Sequence, residues 1–147
     1  MADPLSIAAS VVGLVAAASK ICSALSGFVS SAIDAPQSAQ HVLTAVSDTR
    51  LALEMVQELI DAITVLPSHR KMLVRLDHLV VTFSNCVLTI SELESLVSLS
   101  LSVDGGGGSD KLRRFKWIRN EQKVLRLLPR LESQKASLSL MISVLRW

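Results

Sequence analysis

The sequence predicts an all-α fold, an up-down bundle of four long helices, and three observations carry that expectation. Apolar residues recur at alternating steps of four and three through four long stretches, the spacing of a helical seam that faces a partner. Pro36, Pro67 and a run of glycines at 105–108 divide those stretches from one another. Nowhere do apolar and polar residues alternate with the period of two that a half-buried strand needs. A single domain over residues 1–147 is expected, with helices at roughly 4–33, 36–66, 68–100 and 110–146 and a flexible loop at 104–109.

The first helix opens on Asp3-Pro4, an acid at the N-cap followed by proline where its missing N–H costs nothing. Its seam is Ile7, Val11, Leu14, Ala18, Ile21, Leu25, Phe28 and Ala32, widened by Val12, Val15, Cys22, Val29 and Ile33. Over residues 5–33 the only charge is Lys20. A helix apolar round so much of its circumference is buried in a bundle or destined for lipid. Small residues repeat every four along it, at Ala9, Gly13 and Ala17 and at Ser23, Gly27 and Ser31. Such rows permit close approach, either of neighbouring helices in a soluble bundle or of copies in a membrane.

The second helix repeats the alternation through Val42, Val46, Thr49, Leu53, Val56, Ile60 and Ile63, with Asp48, Glu54, Glu58 and Asp61 on the opposite face. Pro67 stops it at Leu66, because a residue before proline disfavours the helical region. In the third helix, capped by Ser68, the seam is Leu73, Leu76, Val80, Phe83, Val87, Ile90 and Val97 with Glu94 in one polar slot. Met72, Leu79, Cys86 and Leu93 flank it. Asp110 caps the fourth. Its first half is densely basic, and Pro129 should kink or break it near Leu128. Leu131, Leu138, Ile142 and Leu145 continue the stripe beyond.

Half of the 147 residues are hydrophobic and 19% are charged, with mean hydropathy +0.45. A chain of this length buries roughly two-thirds of its unfolded surface, so it folds without metal or disulfide. Cys22 and Cys86 lie in apolar runs and fit small core residues of a reduced, cytosolic protein. No secretory signal is read, since MADP places an acid where a signal carries positive charge. Charge is unevenly spread: residues 1–110 carry a net −6 and residues 111–147 a net +8. The basic stretch admits three readings: a solvated face complementing the acidic helices, a surface for anionic lipid, or a nucleic-acid contact. For the last the fold offers no recognition module beyond charge, and three Phe, two Trp and no Tyr leave little to stack bases on.

Nothing in the sequence supports an enzyme. His41, His69 and His78 have no partner three or four residues on, no Cys/His group has zinc spacing, and no serine sits in a strand-turn-helix elbow. The DGGGGSD connection lacks the GK[ST] ending of a phosphate-binding loop. No catalytic, cofactor-binding or metal residue is assigned.

Two blocks resemble a known family. The opening MADPLSIAASVVGLVAAASKI is similar to the start of the fungal N-terminal domain of STAND (NLR-like) proteins, the HeLo-like group. The end resembles that domain's last helix, from Trp117 through Glu121, Lys123, Leu127-Leu128 and Leu131 to KASLSLMISVL at 135–145. The GGGGS stretch departs from the family pattern. The resemblance implies a helical bundle ahead of a nucleotide-binding oligomerisation domain and a repeat sensor, acting in fungal non-self recognition and programmed cell death. It implies a cytoplasmic domain similar to the executioner bundle of the mixed-lineage kinase-like necroptosis protein, one that self-associates and relocates to the membrane on activation. On that reading Leu5, Ile7, Val11, Val12, Gly13, Leu14, Val15 and Gly27 are candidates for membrane insertion and oligomerisation. Lys111, Arg113, Arg114, Lys116, Trp117, Arg119 and Lys123 are candidates for anionic-lipid contact. The alternative is a homotypic helical adaptor that relays receptor activation without touching lipid.

Overall fold

The computed structural model describes residues 4–31, 36–63, 76–101 and 110–145, with side chains over 10–30, 36–62, 80–101 and 112–143. Those residues form four helices and no strand: α1 Pro4–Ser31, α2 Gln37–Ile63, α3 Leu76–Leu101 and α4 Asp110–Leu145. The fold is an all-α helical bundle. The expected start of the third helix at Ser68 and the flexible loop 104–109 lie outside the described residues.

α1 begins at Pro4, the position that suits proline, and α2 follows Pro36 through a tight turn in which the Ala39 N–H donates to the Pro36 carbonyl at 3.0 Å. α1 packs against α2 and α3, and α4 packs against the same two helices, so α1 and α4 face each other across the bundle. Cross-helix pairs set the sense of the chain. Ser100 meets Asn120, Glu92 meets Arg130 and Thr89 meets Gln134, so α3 and α4 are antiparallel. Ser38 meets Glu121 and Asp48 meets Lys135, so α2 and α4 are parallel.

The core is the set of seams the spacing picks out, with one rotation. Val11, Leu14, Ala18, Ile21, Leu25 and Phe28 of α1 are buried, as are Val42, Val46, Thr49, Leu53, Val56 and Ile60 of α2. In α3 the buried line is Phe83, Cys86, Ile90, Leu93 and Val97, whereas Val87 is exposed. Two three-four registers share Phe83, Ile90 and Val97, and the sequence does not choose between them. Packing selects the register through Cys86 and Leu93, which turns Glu94 to the edge of the core beside Lys20 at 3.2 Å. Cys22 and Cys86 are both free and buried.

α4 is one continuous helix with Pro129 inside it, so the helix does not break there. Trp117, Asn120, Val124, Leu127, Leu131, Gln134, Leu138 and Met141 step by three and four along its inner side. Pro129 falls on the exposed side. The carbonyl of Leu125, which would have accepted its N–H, is thus freed on the side where water reaches it.

Several buried polar groups find hydrogen-bond partners, although Gln134 Oε1, Arg50 Nε and Arg113 Nε do not. Thr49 donates to the Ala45 carbonyl at 2.8 Å, Thr89 to Asn85 at 3.0 Å and Ser100 to Leu96 at 2.8 Å. Asn120 donates to Ser100 at 3.2 Å and to the Lys116 carbonyl at 3.0 Å, and Gln134 donates to Thr89 at 2.8 Å. These two amides take the polar slots of the α4 seam and pin α3 to α4.

Leu25 is fully buried, whereas Leu88 is 63% exposed on α3. Leu25→Ala should cost about 2–5 kcal/mol of stability, and Leu88→Ser less than about 0.5 kcal/mol. Urea denaturation of the two variants beside the parent measures both.

Candidate functional site

Among the described residues, no group of three His, Cys, Asp or Glu side chains comes together to hold a metal ion. What the bundle presents instead is an apolar helix at one corner and a basic surface along another.

The inner side of α1 is occupied. Val11 and Leu14, both candidates for insertion, lie in the core, and Val15 is partly buried. The outer side is open. Val12 is 51% exposed, and Gly13, Ala16, Ser23, Ala24 and Gly27 are exposed with it. A Cβ added at Gly13 or Gly27 would meet nothing within 4 Å. None of the described helices packs on these glycines. Leu5 and Ile7 belong to the first turns of α1, with side chains outside the described residues.

Ties to the other helices hold α1 at its far end and middle. Phe28 packs on Trp117 with ring centroids 5.9 Å apart and planes tilted by 41°. Cys22 Sγ lies 3.5 Å from Ser47 Oγ on α2. Lys20, the lone charge in the middle of α1, pairs with Glu94 of α3. Both partners are partly solvated, so the pair contributes about 0.2–1 kcal/mol.

Two helices are long and apolar enough to cross a membrane by length and composition, over Ser10–Ser30 of α1 and Val80–Leu101 of α3. The second is not foreseen by reading α3 as an ordinary amphipathic helix. Its signal is the low content of charged residue types over 80–101, where Glu92 and Glu94 stand alone. Val81, Val87, Leu88 and Leu99 are exposed on it.

The basic candidates divide. Arg114, Arg119 and Lys123 are exposed, Arg113 and Lys116 partly buried, and the Lys111 side chain is outside the described residues. Trp117 corrects the expectation that it sits at the surface, because it is completely buried. Its Nε1–H donates to Ser38 Oγ at 2.9 Å, and Ser38 donates onward to Glu121 Oε2 at 2.8 Å. The physical reason is heptad phase: Trp117, Val124, Leu131 and Leu138 are seven apart and share the inner face. The apolar residues that do stand out among the cations are Leu112, Phe115 and Ile118.

Lys135 lies 2.9 Å from Glu132 and 3.7 Å from Asp48, and both carboxylates hold its ammonium above the usual lysine range. Burial pushes the Cys86 thiol from 9.0 up to about 11, keeping it neutral and unreactive at physiological pH.

Comparison with family models, with curated proteins and with solved structures returns no match to this chain.

Two measurements follow from this geometry. Trp117→Phe deletes the donor to Ser38 and leaves a cavity where the larger indole sat, which should cost at least about 1 kcal/mol in urea denaturation. Cys86 has a folded pKa raised above its unfolded value, so its contribution to stability is complete below pH 9 and is lost as pH rises through about 11. The parent should therefore lose stability more steeply than Cys86→Ala above pH 9.

Proposed function

We propose that this chain is the N-terminal effector domain of a fungal NLR-like (STAND) immune receptor, a non-enzymatic module that self-associates and perturbs membranes through α1. The likeness of its opening and closing blocks to the HeLo-like group supports the family role. One structural observation carries the membrane reading: α1 offers a core-forming seam on one side and, on the other, a strip of small and apolar residues interrupted by a single charge.

In the resting bundle the seam of α1 is satisfied by α2 and α3. Pulling it out exposes Val11, Leu14, Ile21, Leu25 and Phe28, at about 1.5–3 kcal/mol for each side chain. A lone copy does not recover that in water, so release needs a lipid phase and a trigger. Clustering by a receptor supplies the trigger, because joined copies bind a surface far more tightly than one. The apolar window Ser10–Ser30 is 21 residues long, about 30 Å of helix, matching the hydrocarbon thickness of a bilayer. Lys20 at its middle costs about 2.5–3.5 kcal/mol in lipid. Facing the inside of an oligomer relieves it, and the open glycine rows permit that approach.

The basic surface of α4 brings the bundle to an anionic leaflet. Arg114, Arg119 and Lys123 lie outward, and each cation near such a surface is worth about 1 kcal/mol. Leu112, Phe115 and Ile118, rather than Trp117, are placed to enter the headgroup layer.

The decisive substitution is Val12→Glu, because Val12 is exposed and its exchange leaves the core intact. Leu14 is buried, so Leu14→Glu would unfold the bundle and report nothing about lipid. Forced oligomers of the parent should release dye from vesicles containing anionic lipid, and Val12→Glu should cut that release at least tenfold while the far-ultraviolet spectrum is unchanged. Equal leakage from the two proteins rejects insertion of α1. Stable oligomers that leave vesicles intact would favour the adaptor role instead.

A further inference from the structure

Between α3 and α4 lies an open groove of about 510 Å³, and its chemistry differs on its two levels. The floor is apolar, built from the buried Leu127 and the partly buried Leu96. The rim is cationic. Lys123, Arg126 and Arg130 stand at positions i, i+3 and i+7 of α4, which puts three positive charges along about 10 Å of one helix face. Glu92 and Ser95 of α3 form the opposite rim.

These cations are under-used. Among the described residues neither Lys123 nor Arg126 meets a carboxylate within 4 Å. Arg130 meets Glu92 at 3.6 Å, but both side chains are more than half exposed, so the pair is easily exchanged. Three cations against one carboxylate leave the groove with a net positive charge that no described side chain neutralises. The volume is that of a small-molecule site, whose usual build is an apolar lining with a few polar groups fixing orientation.

We infer that this groove binds a single phosphate-bearing molecule. Its phosphate oxygens accept hydrogen bonds from Lys123 and Arg126, the Ser95 hydroxyl donates from the facing helix, and any apolar portion covers Leu96 and Leu127. A planar guanidinium matches two phosphate oxygens at once, and Lys adds a compact charge beside it. Two sources share that chemistry, the head of a lipid and a free phosphate ester. The site goes beyond the proposed membrane role and stands whether or not α1 inserts, since α1 contributes none of its lining.

The test is a nuclear magnetic resonance titration of the folded chain at constant ionic strength, with three probes: inorganic phosphate, monomeric dihexanoyl phosphatidic acid and dihexanoyl phosphatidylcholine. Saturable shifts are expected at Ser95, Leu96, Lys123, Arg126 and Leu127 with the phosphatidic acid. Arg126→Gln should weaken its binding about tenfold, whereas Arg50→Gln, on α2 and outside the groove, should leave it unchanged. Tighter binding of phosphatidic acid than of phosphate assigns the site to a lipid, and equal binding assigns it to a soluble phosphate. Non-saturable shifts, equal binding of the phosphatidylcholine, or equal affinity in Arg126→Gln overturns the site. All three substitution states are compared on amides remote from the groove, which must not move if folding is intact. Vesicle leakage does not enter this readout, so failure here and failure of the membrane reading remain separate results.

Discussion

Keeping the seam of α1 out of water is the constraint on which the rest of this bundle depends. Val11, Leu14, Ala18, Ile21, Leu25 and Phe28 are all buried, and no other helix carries so apolar a stretch with so little charge to hold it in solution. α2 and α3 are its walls. α4 closes the far side of those walls and touches α1 chiefly where Phe28 meets Trp117. Hydrophobic burial is non-directional, so it demands cover without specifying which neighbour supplies it. Specificity comes from the polar positions in the seams: Asn120 with Ser100, Gln134 with Thr89, and the Trp117–Ser38–Glu121 chain. Each would be left unsatisfied by a slip of one turn, and an unsatisfied buried polar group is costly.

Charge plays a smaller part than the −6 and +8 halves of the chain suggest. Three pairs between described helices, Lys20–Glu94, Arg130–Glu92 and Lys135–Asp48, are partly solvated. Such pairs bias the arrangement without holding it together. Most of the basic charge of α4 is left facing outward, where long-range attraction to an anionic surface or ligand is its main physical consequence. The inward seams hold the buried apolar surface, and the outer side of α4 holds the exposed positive charge.

Much of this was legible from spacing. The seams of α1 and α2 are buried at every described position that the three-four alternation names. α3 was harder, because Val87 and Cys86 are adjacent and either completes a heptad with Phe83 and Ile90. Trp117 was misplaced for a related reason: cations on both sides of it suggest a surface, while its seven-residue relation to Val124 and Leu131 places it inside. Composition around a residue says little when the helix alternates faces every two residues. The glycine rows of α1 could be counted in the sequence, but whether Gly13 and Gly27 met a neighbour was not legible there.

By itself the sequence determined the class of fold, the four helical stretches, the apolar character of α1 and the concentration of positive charge in α4. Those are local quantities, set by the period of apolar residues and by side-chain type. Only the tertiary structure decided which of two registers α3 uses, that Trp117 is a core residue, that α1 leaves one strip open, and that Lys123, Arg126 and Arg130 overhang an apolar groove. These depend on the rotation of each helix about its own axis. That rotation follows from the joint packing of all four helices, and no single stretch of sequence contains it.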